Sequence, residues 1–310
     1  NVWLKNMAKE FDSAWLPSKG VLHHTGSAIR PNAVFFAAPP PEIGRVISAD
    51  STLTNPPSSS FKKIALWISL IGLLTAVLVS VRTWSLWPMP IVLVMTLAVL
   101  AVVAFCISYR CSFVGERGIA IAAVKQLRQS APKEDVLLFE DATTLYSRQT
   151  SNYVNGRYTG TNHKYQWTRK GQSDFVIEGG HDKKGALGSG HPLSSAQAAE
   201  NAWTQHLWPI ACEDFRALGH VDFPMTIDIQ MIRVEKDTLV FSLKNGKTHT
   251  ASADDIVNLS LSSGFFQLQH KDATWWSGKG QCSFGINAIP NSKLFILCLQ
   301  QFIGFGLTPT

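Results

Sequence analysis

Ile64-Ala-Leu-Trp-Ile-Ser-Leu-Ile-Gly-Leu-Leu-Thr-Ala-Val-Leu-Val-Ser-Val81 carries no charged side chain, and a second apolar stretch, Thr83 to Tyr109, follows after Arg82 alone. A helix needs ~20 apolar residues to cross the hydrocarbon core of a bilayer. It also satisfies its own backbone hydrogen bonds there. The two stretches therefore predict a transmembrane helical hairpin over 61–110, with spans at 64–82 and 88–109. Pro88 and Pro90 suit the turn, since proline lacks the N–H that a helix interior uses. Trp67, Trp84, Trp87 and Tyr109 sit where interfacial aromatic rings lie.

The flanks set an orientation. Lys62, Lys63, Arg110 and Arg117 lie outside the hairpin and Arg82 alone lies between its spans, so both termini and the soluble parts are expected in the cytoplasm. The expectation is a multi-pass protein of the inner (cytoplasmic) membrane of a bacterium, with the lipid bilayer as one partner. The spans hold no acidic residue, lysine or histidine, which argues against a pump or carrier.

The formal charge of +6 is spread thinly: residues 1–63 hold seven basic and four acidic residues, and residues 110–310 hold twenty and eighteen. Nucleic-acid binding needs a clustered basic stripe, so no nucleic-acid partner is expected. Five cysteines, irregularly spaced and without a C-x-x-C pair, read as free thiols and not as a disulfide frame or zinc site.

Outward from the hairpin, residues 1–17 predict an amphipathic helix: Trp3, Met7, Phe11 and Trp15 recur every four positions and Pro17 ends the pattern. That face suits the membrane surface, another subunit, or this protein's own domains. Trp3, Met7, Phe11 and Trp15 are the candidate partner-binding residues. Residues 18–60, with Pro39-Pro-Pro41, Pro56-Pro57 and Ser58-Ser-Ser60, read as an irregular tether.

Beyond Arg110 the pattern changes to short strands rich in β-branched and aromatic residues, with turn signals at Asn155-Gly156, Lys170-Gly171 and Asn245-Gly246. A run from Ser112 to Ile121 reads as one strand. Helices are expected from about Ser194 to Leu218, capped by Ser194 or Ser195 and kinked or divided at Pro209, and from Asn291 to about Phe305. Several strands closed by one helix thus occur twice, over 111–220 and 221–310.

That order resembles the bacterial pleckstrin-homology-like (PH-like) domain. The likeness is carried by Gly115-Glu-Arg-Gly-Ile119 and Phe139-Glu-Asp-Ala-Thr143 in the first unit, and by Asp254-Asp-Ile-Val-Asn258 and Ile289-Pro-Asn291 in the second. The resemblance implies a bent sheet of about seven strands closed by a C-terminal helix, and a binding or scaffolding role rather than catalysis. The fold class expected is therefore α+β: a two-helix membrane hairpin followed by two tandem PH-like units.

Candidate chemistry is sparse. Gly179-Gly-His-Asp-Lys-Lys-Gly-Ala-Leu-Gly-Ser-Gly-His191 lies between a strand and a helix, where backbone N–H groups bind anions, but it lacks the Walker spacing. Lys183 and Lys184 are its candidate anion contacts. The nine histidines show no metal-binding spacing and read as surface or loop residues. No G-x-S-x-G elbow is present. No cofactor, metal or catalytic residue is expected, and the function expected is a membrane-anchored scaffold or accessory subunit of a larger membrane complex. The alternative is a sensor or enzyme that binds a ligand or lipid headgroup at the loop 179–190.

Overall fold

The computed structural model describes residues 14–53, scattered helical positions between 67 and 99, and residues 108–125, 132–181, 191–225, 227–262, 264–273 and 280–305. Its first unit holds β1 (Val46–Ser51), β2 (Ser108–Gly115), β3 (Gly118–Lys125), β4 (Lys133–Leu138), β5 (Ala142–Val154), β6 (Arg157–Arg169), β7 (Phe175–His181) and helix α1 (Pro192–Leu218). The second holds β8 (His220–Pro224), β9 (Ile229–Glu235), β10 (Thr238–Leu243), β11 (Thr248–Ser252), β12 (Ile256–Ser262), β13 (Phe265–His270), β14 (Gln281–Gly285) and helix α2 (Ser292–Cys298), extended by a π-helical turn at Leu299–Ile303. Each unit is a four-stranded and a three-stranded antiparallel meander followed by a helix.

The expected membrane class is corrected. Strands take 45% of the described residues against 27% for helices, in four antiparallel sheets, so the described architecture is mostly β. Among the described residues no helix is long and apolar enough to cross a membrane, which overturns the transmembrane hairpin and the inner-membrane placement derived from it. The second expected span also ends early. Ser108 and Tyr109 are the first residues of β2, and Tyr109 is buried in the sheet's core instead of lying at an interface. Most other positions of the two spans, with Trp84 and Trp87, lie outside the described residues.

The sheet β1–β4 is buried on both faces, because its strands alternate sides. Val114, Ile119 and Leu137 point inward to a core with Leu145, Trp167 and Phe175. Tyr109, Cys111, Phe113, Ala120 and Ala122 point the other way, into a second core. The segment 14–45 supplies the cover there: Val21, Phe35, Phe36, Ala37 and Ile43 are all buried in it. The expected tether is thus a packed layer that ends in a strand, β1, paired with β2. Each fully buried Phe contributes ~1.5–3 kcal/mol, enough to hold a layer with almost no regular structure of its own.

Gly115 and Gly118 bracket the β2–β3 turn, and a Cβ at either would meet the Ile43 or Leu137 carbonyl oxygen at 2.3 or 2.4 Å. The run Ser112–Ile121 is therefore two strands of a hairpin turning at Glu116-Arg117. Asn155 and Gly156, both at positive φ, close the β5–β6 hairpin as a two-residue turn of that composition demands.

Helix α1, 27 residues and ~40 Å long, joins the units. Its first half packs Ala196, Ala199, Ala202 and Trp203 into the first core, and Ala211 with Phe215 belongs to the second. The small Ala face lets the helix approach the sheet closely. Pro209 lies inside this single helix instead of dividing it, and Gly219, left-handed at φ 79°, caps its end by donating to the Phe215 carbonyl. The N-cap is His191, not Ser194 or Ser195: its ring accepts the Leu193 N–H, with Pro192 at the first helical position. Phe215 stacks face to face on Phe302, with ring centroids 3.8 Å apart, which fastens α1 to the second unit's final helical turn.

Candidate functional site

Three polar constellations stand out. The first is the seam between the units. Asn291, left-handed at φ 53° and ψ 43°, places its carboxamide oxygen 2.9 Å from both the Leu145 N–H and the Trp203 indole N–H. Its own N–H donates to the Leu145 carbonyl at 2.8 Å. The Ser147 and Ser292 hydroxyls meet at 3.2 Å, and Lys293 bonds the Asn201 side chain. Beside these contacts lies an open cleft of about 210 Å³ between α1 and β8, lined by Thr144, Leu207, Ile210, Asp214, Val221 and Leu294.

The second constellation sits where the glycine-rich segment leaves and rejoins the described chain. In the β6–β7 ladder His163 faces Gly179 and Thr161 faces His181, so the two histidines are diagonal neighbours on one face of the sheet. His191 closes the triangle from the start of α1. Ring centroids are 5.7 Å apart for His163–His191, 5.8 Å for His181–His191 and 6.2 Å for His163–His181. His163 is 3% exposed. Among the described residues neither of its ring nitrogens has a hydrogen-bond partner, nor has Nδ1 of His181. Burial first, then the neighbouring imidazoles, lowers the His163 pKa to about 4, and burial likewise lowers that of His191. Gly179 makes room: a Cβ there would lie 3.3 Å from His163 Nε2 and 3.1 Å from the Pro192 ring.

The third lies under the N-terminal layer. His24 is buried, with Nδ1 2.9 Å from the Ser48 hydroxyl and Nε2 2.9 Å from that of Ser112. His23 Nε2 stands 3.1 Å from the buried Asp50 carboxylate, whose other oxygen accepts the Ser51 N–H at 2.7 Å. A Ser-His-Asp triad needs one imidazole bridging hydroxyl and carboxylate. Here the two jobs fall on different rings: His24 holds the serines and His23 the aspartate. The network therefore fastens residues 23 and 24 to β1 and β2. Burial pushes the Cys282 thiol up to about 11 and that of Cys298 to about 12, which holds these two away from thiolate.

Of the residues singled out from sequence, Trp15 is half-buried and packs edge-on against Phe35 and Phe113, at 5.0 and 5.3 Å. Its ring thus rests on the chain's own second core, in a stretch that is not helical. Trp3, Met7, Phe11, Lys183 and Lys184 lie outside the described residues. Trp67 is helical and 64% exposed. With Ile71, Leu74, Leu78 and Val81 it forms a row spaced four, three, four, three, each side chain between 59% and 67% exposed. Behind the row Gly72 comes so close to Thr96 that a Cβ would meet its hydroxyl at 2.3 Å.

The sequence places the nine histidines at the surface or in loops, yet His24 and His163 are buried, and it shows Asn291 only as part of the Ile289-Pro-Asn291 likeness and as the start of a helix. The available signal for His163 was alternation: His163 and His181 fall on one face only after the β6–β7 register is known. No group of three or more His, Cys, Asp or Glu side chains among the described residues could hold a metal ion. No family model matches the chain, and no curated protein matches it.

Proposed function

We propose that the chain is a non-catalytic scaffold or accessory subunit whose two PH-like units form one rigid support for a protein partner. The repeated order of four strands, three strands and a helix supports the PH-like reading, and α1 with its Asn291 clasp supports rigidity. The membrane anchor forms no part of this proposal. The observation that carries it is the exposed row Trp67, Ile71, Leu74, Leu78 and Val81. Its four-three spacing is that of a helix–helix seam, and an exposed contiguous apolar face marks a docking surface. The partner is accordingly another subunit that presents an apolar helix.

The test is the size of the native assembly. The full chain extracted from its own cells is expected to elute within a larger complex, and a Leu74→Gln, Leu78→Gln variant is expected to elute at its own size with unchanged circular dichroism. A wild-type chain that elutes alone, or a variant that stays in the complex, overturns the reading.

A further inference from the structure

We propose that the start of α1 is an acid-sensitive latch: the neutral His191 ring, packed with His163 and His181, holds the helix's first turn on β7, and proton uptake by this cluster releases it. His191 is the N-cap of α1, and its Nδ1 accepts the Leu193 N–H at 3.2 Å. The lone pair is therefore on Nδ1 and the proton on Nε2, which bonds the Gly180 backbone in β7. The turn sits close to that strand, since a Cβ on Gly179 would lie 3.1 Å from the Pro192 ring. An imidazolium keeps the bond to Gly180 but has no lone pair left for Leu193. Protonation thus removes the cap and sets a positive charge against the positive end of the helix dipole. Ser, Thr and Asn, the usual neutral caps, do not titrate, so a histidine in this place makes the cap depend on pH.

The neighbouring rings sharpen the effect. Their centroids stand 5.7 and 5.8 Å from that of His191, so a charge on one imidazole opposes a charge on the next. Across the ladder from His163 stand Gln149 of β5 and Gly179 of β7, which carry no charge, while Lys164 and Glu178 alternate onto the other face. Asp50 of β1 and Arg110 of β2 line a small cavity with Pro192 and Ser195, one of each sign, and Asp50 already pairs with His23. Further along α1, Glu200 acts on Tyr165 and is acted on by Lys293. Burial first, then the neighbouring imidazoles, holds His163 and His191 below the ordinary histidine value, and the Gly180 bond opposes this only for His191. Released from the cluster, the rings titrate near 6.5. Between that value and the lowered ones, the released form takes up protons that the latched form refuses, so the latch is complete above pH 6.5 and is lost as pH falls. With the latched His163 at about 4, its proton alone favours release roughly 25-fold more at pH 5 than at pH 7.5.

The test is amide exchange in the untagged full chain between pH 7.5 and 5, with each rate corrected for the intrinsic pH dependence of exchange. Protection of the amides from Leu193 to Ala196 should fall roughly 25-fold or more, while Val234 and Phe241 of the second unit keep theirs. A double variant, His191→Asn with His163→Gln, has a cap that does not titrate and should flatten the dependence, with circular dichroism to show that it folds. His24→Gln should leave the dependence in place. The ring signals of the wild type give a second readout, since His163 and His191 should take up their protons as the turn loses protection. First-turn protection independent of pH in the wild type, rings that titrate while the turn stays protected, or an equally steep fall in the double variant overturns the proposal.

Discussion

The indole N–H of Trp203 donates to the side-chain oxygen of Asn291 at 2.9 Å across the boundary between the two units. The same oxygen accepts the Leu145 N–H, so one carboxamide ties α1, β5 and the start of α2 together. Asn suits the position twice over: it tolerates the left-handed backbone better than most residues, and its side chain accepts both bonds.

Asn291→Ala should therefore be costly. It leaves two donors without their acceptor, at roughly 1–3 kcal/mol each, and puts Ala in a left-handed conformation, at ~1–2 kcal/mol. Urea unfolding should show a loss of about 3 kcal/mol or more. Asn291→Gly, which keeps the backbone freedom and loses the acceptor, should recover about 1 kcal/mol of it. In a double-mutant cycle, Trp203→Phe should couple to Asn291→Gly, whereas independent effects would mean the bond carries no energy.

Stability should fall on acidification, and His24 should carry part of that fall. Burial is the largest influence on this ring and lowers its pKa to about 4; His23 adds to the lowering, while Asp50 and the bond to Ser112 oppose it. Unfolded, the ring titrates near 6.5. Between these values the unfolded chain binds the proton and the folded chain does not, so stability rises with pH. The contribution is complete above pH 6.5 and is lost as pH falls toward 4. A shift of that size corresponds to about 3 kcal/mol. Urea midpoints measured from pH 7.5 to 4 should fall more steeply for the wild type than for His24→Gln, and parallel slopes would refute the assignment.

The N-terminal layer should come away as a unit when its aromatic contacts are cut. Phe35 is 1% exposed and makes ring contacts with Trp15 and Phe113. Phe35→Ala should cost ~3–5 kcal/mol. Because Ser51 and Cys111 lie under the same layer, hydrogen exchange at β1 should quicken first, while β8–β14 keep their protection. Uniform acceleration across both units would mean that the layer is not a separate cooperative element.

The sequence discloses what is local. Asn155-Gly156 is read correctly because a two-residue turn needs only its own backbone freedom, and Asn245-Gly246 lies in the longer β10–β11 turn with Gly246 at φ 77°. Val46–Ser51 is missed as a strand because its partner, β2, lies some sixty residues on, and no local signal records that pairing. Hydropathy misleads at Tyr109 for the same reason. Tyr109 is apolar enough for a bilayer interface, yet its burial comes from Phe113 and the layer above it. The histidine triangle is invisible at spacings of eighteen and ten residues. Strand register brings His163 beside His181, and the start of α1 brings His191 to both.

Gly115 should prove irreplaceable for a reason unrelated to backbone freedom. Its φ is not positive, so strain is not at issue. What blocks a side chain is the Ile43 carbonyl oxygen, 2.3 Å from where a Cβ would stand, with the Ile43 side chain at 3.1 Å. Backbone cannot swing aside as a side-chain tip can. Gly115→Ala must therefore lift the segment holding Ile43 off the sheet, and Ile43 is fully buried. Overpacking of this kind costs ~1–3 kcal/mol, and the Arg117 N–H bond to the same Ile43 carbonyl, at 2.9 Å, would be strained with it. Gly246→Ala is the contrast, since nothing lies within 4 Å of its Cβ and only the left-handed backbone at φ 77° opposes it. Both variants should lower the urea midpoint, but only Gly115→Ala should expose the bonds around Arg45 and Arg117 to early proteolysis. Equal cleavage patterns would show that the Ile43 contact is slack.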